Sequence, residues 1–589
     1  MGALKKAKEQ LATAKREALE ARLAGMSLPQ GGAWITAARQ AAEARLRDMG
    51  MPHRRDEYWK FTNPETLVAP EPPAAALFDP PEAAIFSDID RVMLVFVDGV
   101  FAPELSDDPS LGGIEIERLA TAAEADLHWA RDLYGVLEAR GQEPVARPLA
   151  ALNTAYATDG ILIRATGKAE KPVALRYLHQ SETSDAILHH CIKVEPGAEL
   201  TLLENGPAAA RFNKAMEVDV AEGGTFHHVR AQGRDHERRA ATHIFARVAA
   251  EATFKSFTLT ANGQLTRNEA VIEFTGDDAV AHVAGASVGD GDFLHDDTVF
   301  VTHDAERCES RQVFKKVLRN GAVGVFQGKI LVKPGAQKTD GYQISQSLLL
   351  DDDSQFLAKP ELEIYADDVA CSHGSTSGAI DEEGLFYLRS RGIPEGPATD
   401  LMTLAFLAEA IEEIDNAEIA ADVTAHLEQW LTRRFFFNDA ATTEIVRTYR
   451  SPRTVIRRHL AAGRREDRAI AYLMAACLII FVAQWPRLQR AAMFDPDAPP
   501  LDAQIAGALF AWLFIMPLVF YGIAALSHIV ARLLGGQGTW WGARIALFWT
   551  LLATAPLMLL YGLVAGMIGP GLELQITGSS EEHTSELQS

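Results

Sequence analysis

Between about Ala151 and Gly378 apolar residues fall at every second position or in short unbroken runs, as in ILIRAT, PVALRYL, AELTLLEN, KAMEVDV, GTFHHVRA and GKILVK. Period two is the signature of strands, and Gly, Pro and Asp turns separate the segments. No long helical period interrupts them, which disfavours a parallel sheet built from βαβ units and leaves a β-solenoid, a sandwich or a large barrel. Turns such as Glu195-Pro196-Gly197-Ala198-Glu199 and Glu222-Gly223-Gly224 open new strands at similar offsets, as stacked coils would. A β-solenoid over 151–378 is therefore the predicted core.

Helical patterns flank it. The first residues, MGALKKAKEQLATAKREALEARL, space Leu and Ala as an amphipathic helix does, and a second helix is predicted from about Trp34 to Met49. They contain no apolar stretch of the secretory kind, so export is not expected. A proline-crowded linker spans 63–90, because proline fixes φ and removes a donor, and a small mixed region with the buried strand VMLVFV spans 91–150. From 379 to 433 the period is helical again: EEGLFYLRSRGIP stops at Gly392 and Pro394, Thr399 or Asp400 caps LMTLAFLAEAIEEI, and AEIAADVTAHLEQWLTRR ends in arginines.

Beyond this the physics changes. Eight arginines lie between Glu444 and Arg468, and three apolar spans follow: Ala469–Trp485, Ile505–Val530 and Ile545–Leu572. The first is marginal and the others exceed the roughly 20 residues that cross a bilayer. The positive-inside rule places the arginine run, with Arg532 and Arg544, on the cytoplasmic side.

The 589-residue length predicts several folding units, and 48% hydrophobic with 23% charged residues excludes a mainly disordered chain. A net charge of −23 argues against a chain-wide nucleic-acid surface. Four scattered cysteines, Cys191, Cys308, Cys371 and Cys477, are too few for a disulfide framework and point to a reducing compartment.

The run from HDDTVFVTHDAERCESRQVFKKVLRNG through YADDVACSHGSTSG to LRSRGIP closely resembles the SufB/SufD family, with further matches in PHRRDEYWKFT, LNTAYATDG and TRNEAVIEFTG. The resemblance covers about residues 1–433, and YADDVACSHG followed by GSTSG looks like the SufD version of the two paralogues. It implies a right-handed parallel β-helix between helical domains, in a bacterial, cytoplasmic, non-catalytic subunit that helps SufB-like and SufC-like partners build iron–sulfur clusters. ATP hydrolysis would belong to the SufC-like partner, which docks on the helices around Asp381 to Glu428. It places Cys371 and His373 where the SufB-like partner meets this chain and a transient, shared cluster is built.

On the residues alone, Cys371 and His373 are two apart, so on a strand both point to one face and can converge on one metal. Thiolate and imidazole both suit iron. Two ligands do not complete a coordination sphere, so the others must come from elsewhere in this chain, a partner or bridging sulfide. A small Cys beside a surface His is the plainer alternative, and a purely structural adaptor for SufB and SufC is a second. His189, His190 and Cys191 alternate faces and read as structural; His303 and Cys308 could approach one another across a turn, with a buried thiol as the plainer reading. Gly328-Lys329 lacks the rest of a phosphate loop. Asp351, Asp352 and Asp353 suggest the carboxylates of a solenoid carbohydrate enzyme, but read more simply as a solvated turn.

Arg433 to Ile445 (RRFFFNDAATTEI) and the last residues SSEEHTSELQS look like translated sequencing-adapter DNA, and 446–575 resembles a Yip1-family membrane protein. The expectation is an assembly chimera, with adapter-like stretches at 434–445 and 576–589. A genuine fusion would instead tether the scaffold to the inner membrane.

Overall fold

The computed structural model describes residues 2–77, 84–206, 208–233, 237–436, 456, 466–494, 499–533 and 539–567. The chain divides into two compact units, Met1–Thr432 and Arg433–Ser589.

In the first unit, from Ile161–Ala165 onward, successive strands alternate between a nine-stranded and a ten-stranded sheet, each strand pairing with the one two places ahead of it in the chain. Through the coils the pairing is parallel and in register: Arg211–Val220 lies against Arg239–Val248, which lies against Leu265–Phe274. Two strands make one coil, and the coils stack into a parallel β-solenoid of about seven turns. Inward residues of both sheets, among them Leu188, Met216, Phe226, Phe254, Val299 and Phe326, form one continuous core.

A corner of each coil repeats the same backbone device. Gly197, Gly223, Glu251, Asp278, Arg307 and Lys338 all have positive φ, from 54° to 68°. The first five donate their N–H to the carbonyl of the residue preceding the next corner in the stack, as in Gly197 N to Glu222 O (3.0 Å) and Glu251 N to Asp277 O (2.9 Å), and Lys338 N donates to Asp368 O. The left-handed conformation costs a non-glycine residue about 1–2 kcal/mol. Here the stacked N–H bond and the strands it aligns offset that cost.

The outer faces are covered, as an all-parallel sheet requires. Helix Pro148–Tyr156, buried throughout, lies on the nine-stranded sheet with helix Ala33–Met49. The segment around Tyr58 and Trp59 is fixed there too: Arg267 donates to Tyr58 O (2.9 Å) and stacks 4.2 Å over the Trp59 ring. Helices Glu395–Ile411 and Ala417–Phe436 cover the ten-stranded sheet, burying Leu407, Ile419, Val423 and Leu427 against Phe257, Leu259 and Val317. Asp381 caps helix Glu382–Ser390 through the N–H groups of Glu383 and Gly384. The next helix starts at Glu395, ahead of the expected cap at Thr399 or Asp400, because Pro394 sets its entry and the Thr399 hydroxyl bonds back to Glu395 O (2.9 Å).

The solenoid's two ends differ. At one, the antiparallel strands Val100–Phe101 and Ile114–Arg118 terminate the sheets. At the other, Gln355–Ile364 and Ala370–Gly378 are the last strands of their sheets, each paired on one side only among the described residues.

The second unit contains three helical spans long and apolar enough to cross a membrane by length and composition: Ala469–Met493, Leu501–Leu533 and Trp540–Met567, with mean hydropathies of 1.9, 2.2 and 1.9. The first is longer than its apolar run predicts, because the helix continues through Pro486 to Phe494. The second changes to a π-helical turn at Ala511–Ile515. Most of the arginine run, the junction beyond Phe436 and the SSEEHTSELQS tail lie outside the described residues.

Candidate functional site

Cys371 and His373 lie on the final strand, Ala370–Gly378, at the unpaired end of the solenoid. That strand runs parallel to Asp340–Leu349 with Gly341 opposite Cys371 and Gln343 opposite His373. Paired residues of a parallel ladder point the same way, so the neighbour's orientation gives theirs. Gln343 is fully buried, and a Cβ on Gly328 of the opposite sheet would lie 2.3 Å from its Nε2, so Gln343 points inward. Two and four residues further on, Ser345 donates to Ser375 (3.1 Å) and Ser347 to Ser377 (2.8 Å). The inward face of the last rung is thus Cys371, His373, Ser375 and Ser377, with no further coil over it among the described residues.

Cys371 is half-buried against Ile330, Val332 and Ala366, and this burial pushes its thiol up from the ordinary value, opposed by a hydrogen bond to the Gly341 backbone. A Cβ at Gly341 would stand 3.1 Å from its sulfur, so the glycine leaves the thiol room. His373 is exposed. The structure therefore puts the pair on one face at an open end. The other cysteines, Cys191, Cys308 and Cys477, are buried.

The remaining candidates resolve as structural groups. His189, Cys191 and Glu217 bring ligand atoms within 4.8 Å of one another, but their hydrogen-bonding capacity is used. Glu217 accepts from His189 (2.8 Å) and from the N–H groups of Gly135, Leu137 (2.6 Å) and Glu138 (3.0 Å), while His189 Nδ1 meets Asn153 Oδ1 at 3.0 Å. Burial pushes the Cys191 thiol well up, which disfavours the thiolate a metal needs. His303 bonds to Ser310 (2.8 Å), whereas Cys308 donates to the carbonyls of Gly276 and Glu306, so these two do not pair. Asp351 accepts N–H bonds from Asn320, Asp353 and Ser354 in a turn, with no paired-carboxylate geometry.

Sequence reasoning did not anticipate the charged stripe inside the solenoid. Glu204 is fully buried and accepts from Tyr177 (2.6 Å), His228 (2.8 Å) and Lys214. Its carboxylate is held well below the usual range by Lys214, His228 and Arg230 against the opposing effect of burial. Burial lowers Lys214 to about 8 and His228 to about 4. Further along, Asp297 pairs with Lys316 (2.6 Å) and His295. The available signal was Lys214 in KAMEVDV, which shares its parity with the apolar Met216 and Val218.

Comparison with known proteins bears on what such a fold is used for. Residues 177–406 match the family described as "SUF system FeS cluster assembly, SufBD core domain", and residues 28–175 match the "SufBD protein N-terminal region". The iron-sulfur cluster assembly protein SufD of Escherichia coli is 30% identical over 398 residues, 64% of this chain and 89% of that protein. The chain belongs to the SufBD family. A SufBD family protein of Synechocystis is 28% identical over 406 residues, 62% of this chain and 85% of that protein, and SufD of Bacillus subtilis is 26% identical over 292, 48% and 66%. The SufBD family matches cover the solenoid and helix Ala33–Met49 and reach into helix Glu395–Ile411, and the apolar helices lie beyond the matched residues.

Proposed function

We propose that this chain is a SufD-like, non-catalytic subunit of a complex that assembles iron–sulfur clusters. In this reading Cys371 and His373 donate ligands to a nascent cluster, the complex's product, at the contact with a SufB-like partner. The supporting observation is the bare end of the solenoid. Both terminal strands have a free edge, which another chain can extend by strand addition, and both candidate ligands face the space such a chain would close. One thiol and one imidazole fit a shared site, because each leaves positions for ligands from across the contact. A SufC-like ATPase would dock on the C-terminal helices, where helix Glu382–Ser390 presents Phe386 and Tyr387, 73% and 54% exposed. Such uncovered aromatics are characteristic of interaction surfaces.

The test is co-expression with SufB-like and SufC-like partners, anaerobic purification, and iron and sulfide analysis of wild type against Cys371→Ala/His373→Ala. A stable complex whose cluster content falls in the double variant supports the assignment. An intact complex with unchanged content leaves only an adaptor role, and absence of a complex refutes both. This subunit would work in the cytoplasm. We also read the apolar C-terminal unit as a Yip1-like fragment joined by assembly error, a reading supported by the residue patterns at 433–445 and the C-terminus; a source-DNA amplicon continuous across codons 430 to 450 would overturn it and place the scaffold at the membrane.

A further inference from the structure

The column of inward residues that ends on His373 contains Gln312 and Gln343, consecutive in register and both fully buried. Gln343 Nε2 donates to Gln312 Oε1 at 2.7 Å. This bond orients both amides and leaves Gln343 Oε1 a buried acceptor with no donor, and Gln312 Nε2 a buried donor with no acceptor, among the described residues. A buried polar atom without a partner costs about 1–3 kcal/mol. The Gln343 amide also needs space, which only the absent side chain of Gly328 provides. The residue placed one rung onward from Gln343 is His373. Its neighbours Ser375 and Ser377 already make the equivalent rung-to-rung bonds, to Ser345 and Ser347.

We propose that Gln343 is a positioning residue for His373: its Oε1 accepts a ring N–H, fixing the tautomer and aiming the other ring nitrogen's lone pair toward the open end. A histidine that binds a metal through one nitrogen usually donates its other N–H to an oxygen acceptor, and loss of that acceptor typically costs 10–100-fold in metal affinity. The amide pair supplies an acceptor that is oriented before any metal arrives. The inference rests on His373 being a ligand, but the hydrogen bond can be read without metal.

The experiment uses the full chain in detergent micelles, labelled with ¹⁵N-histidine, at a pH where the ring is neutral. The His373 signals are assigned by their loss in His373→Gln, and their shifts report the tautomer. Wild type should show one dominant tautomer. Gln343→Leu should abolish that preference and Gln343→Glu, which keeps an acceptor, should restore it; Gly328→Ala should act like Gln343→Leu by displacing the amide. An unchanged tautomer in Gln343→Leu, or failure of Gln343→Glu to rescue, overturns the proposal. Iron content of the partner complex is measured on the same variants: a 10–100-fold weaker retention in Gln343→Leu, regained in Gln343→Glu, supports it. A tautomer that responds as expected with no change in iron upholds the hydrogen bond and refutes the ligand role of His373 instead.

Discussion

Replacing Glu204 by Gln tests what holds the solenoid interior together. The substitution preserves shape and removes the charge that compensates Lys214, whose side chain is fully buried and paired to it. Breaking one half of a buried pair costs about 3–5 kcal/mol, because the remaining charge stays desolvated. The upper limit has a physical origin. A lysine with an ordinary value near 10.4 can instead shed its proton, and doing so at pH 7 costs about 1.4 kcal/mol for each pH unit, close to 5 kcal/mol in all. Glu204→Gln should therefore lose about 3–5 kcal/mol in urea unfolding at pH 7, followed by the far-ultraviolet strand signal. The pH dependence carries a second signature. Lys214 sits at about 8 in the wild type, so near pH 7 both wild-type states remain largely protonated there, and by pH 8 the folded state has lost about half a proton. In the variant the folded lysine is neutral while the unfolded one binds a proton, so the variant gains about 1.4 kcal/mol per pH unit and the deficit narrows. Adding Lys214→Met should recover most of the loss by removing the stranded charge. A deficit below about 1 kcal/mol, or a double variant no more stable than the single one, would refute the argument.

Acid should destabilise the solenoid earlier than its carboxylates alone would suggest. Burial lowers His190 to about 3 and His228, His243 and His303 to about 4, so below pH about 6.5 the unfolded chain takes up protons that the folded chain refuses. Stability is then complete above pH 6.5 and falls toward pH 4, by up to about 1.4 kcal/mol per pH unit for each histidine, as urea midpoints across that range will measure. At the open end, Gly341→Ala places a Cβ 3.1 Å from the Cys371 sulfur and should push the thiol outward. Mass spectrometry should then show Cys371 alkylated on the order of threefold faster, while the three buried cysteines stay protected.

The strand-rich core was legible because every coil obeys the same alternation, and inward positions such as Phe226, Phe254 and Phe274 cannot face water. The repeat was hard to prove for a reason visible in the corners. Each uses a left-handed residue, but only Gly197 and Gly223 are glycines; Glu251, Asp278, Arg307 and Lys338 hide the same turn behind ordinary side chains. The resemblance motifs are largely clamps. Arg267 and Glu269 of TRNEAVIEFTG bind the PHRRDEYWKFT segment and Arg147, while Asn153 of LNTAYATDG donates to Leu188 O (3.0 Å). The pairing of Gln343 with His373 was not legible, since register between strands 30 residues apart is a property of the stack.

Because each coil touches only its neighbours, the solenoid is close to a one-dimensional assembly. Its first end is finished by short antiparallel strands, whereas the last rung is a full-length parallel strand with a free edge, and fraying is expected to begin there. Amide hydrogen exchange should accordingly be graded, slow near the mid-stack strand Leu265–Phe274 and fastest along Ala370–Gly378. A chain docking there would quench that fraying as it closes the space around Cys371 and His373, so the same event that recruits the partner would freeze the ligands in place. On the proposed reading the bare rung would act as a latch, loose in the free chain and set when a partner docks.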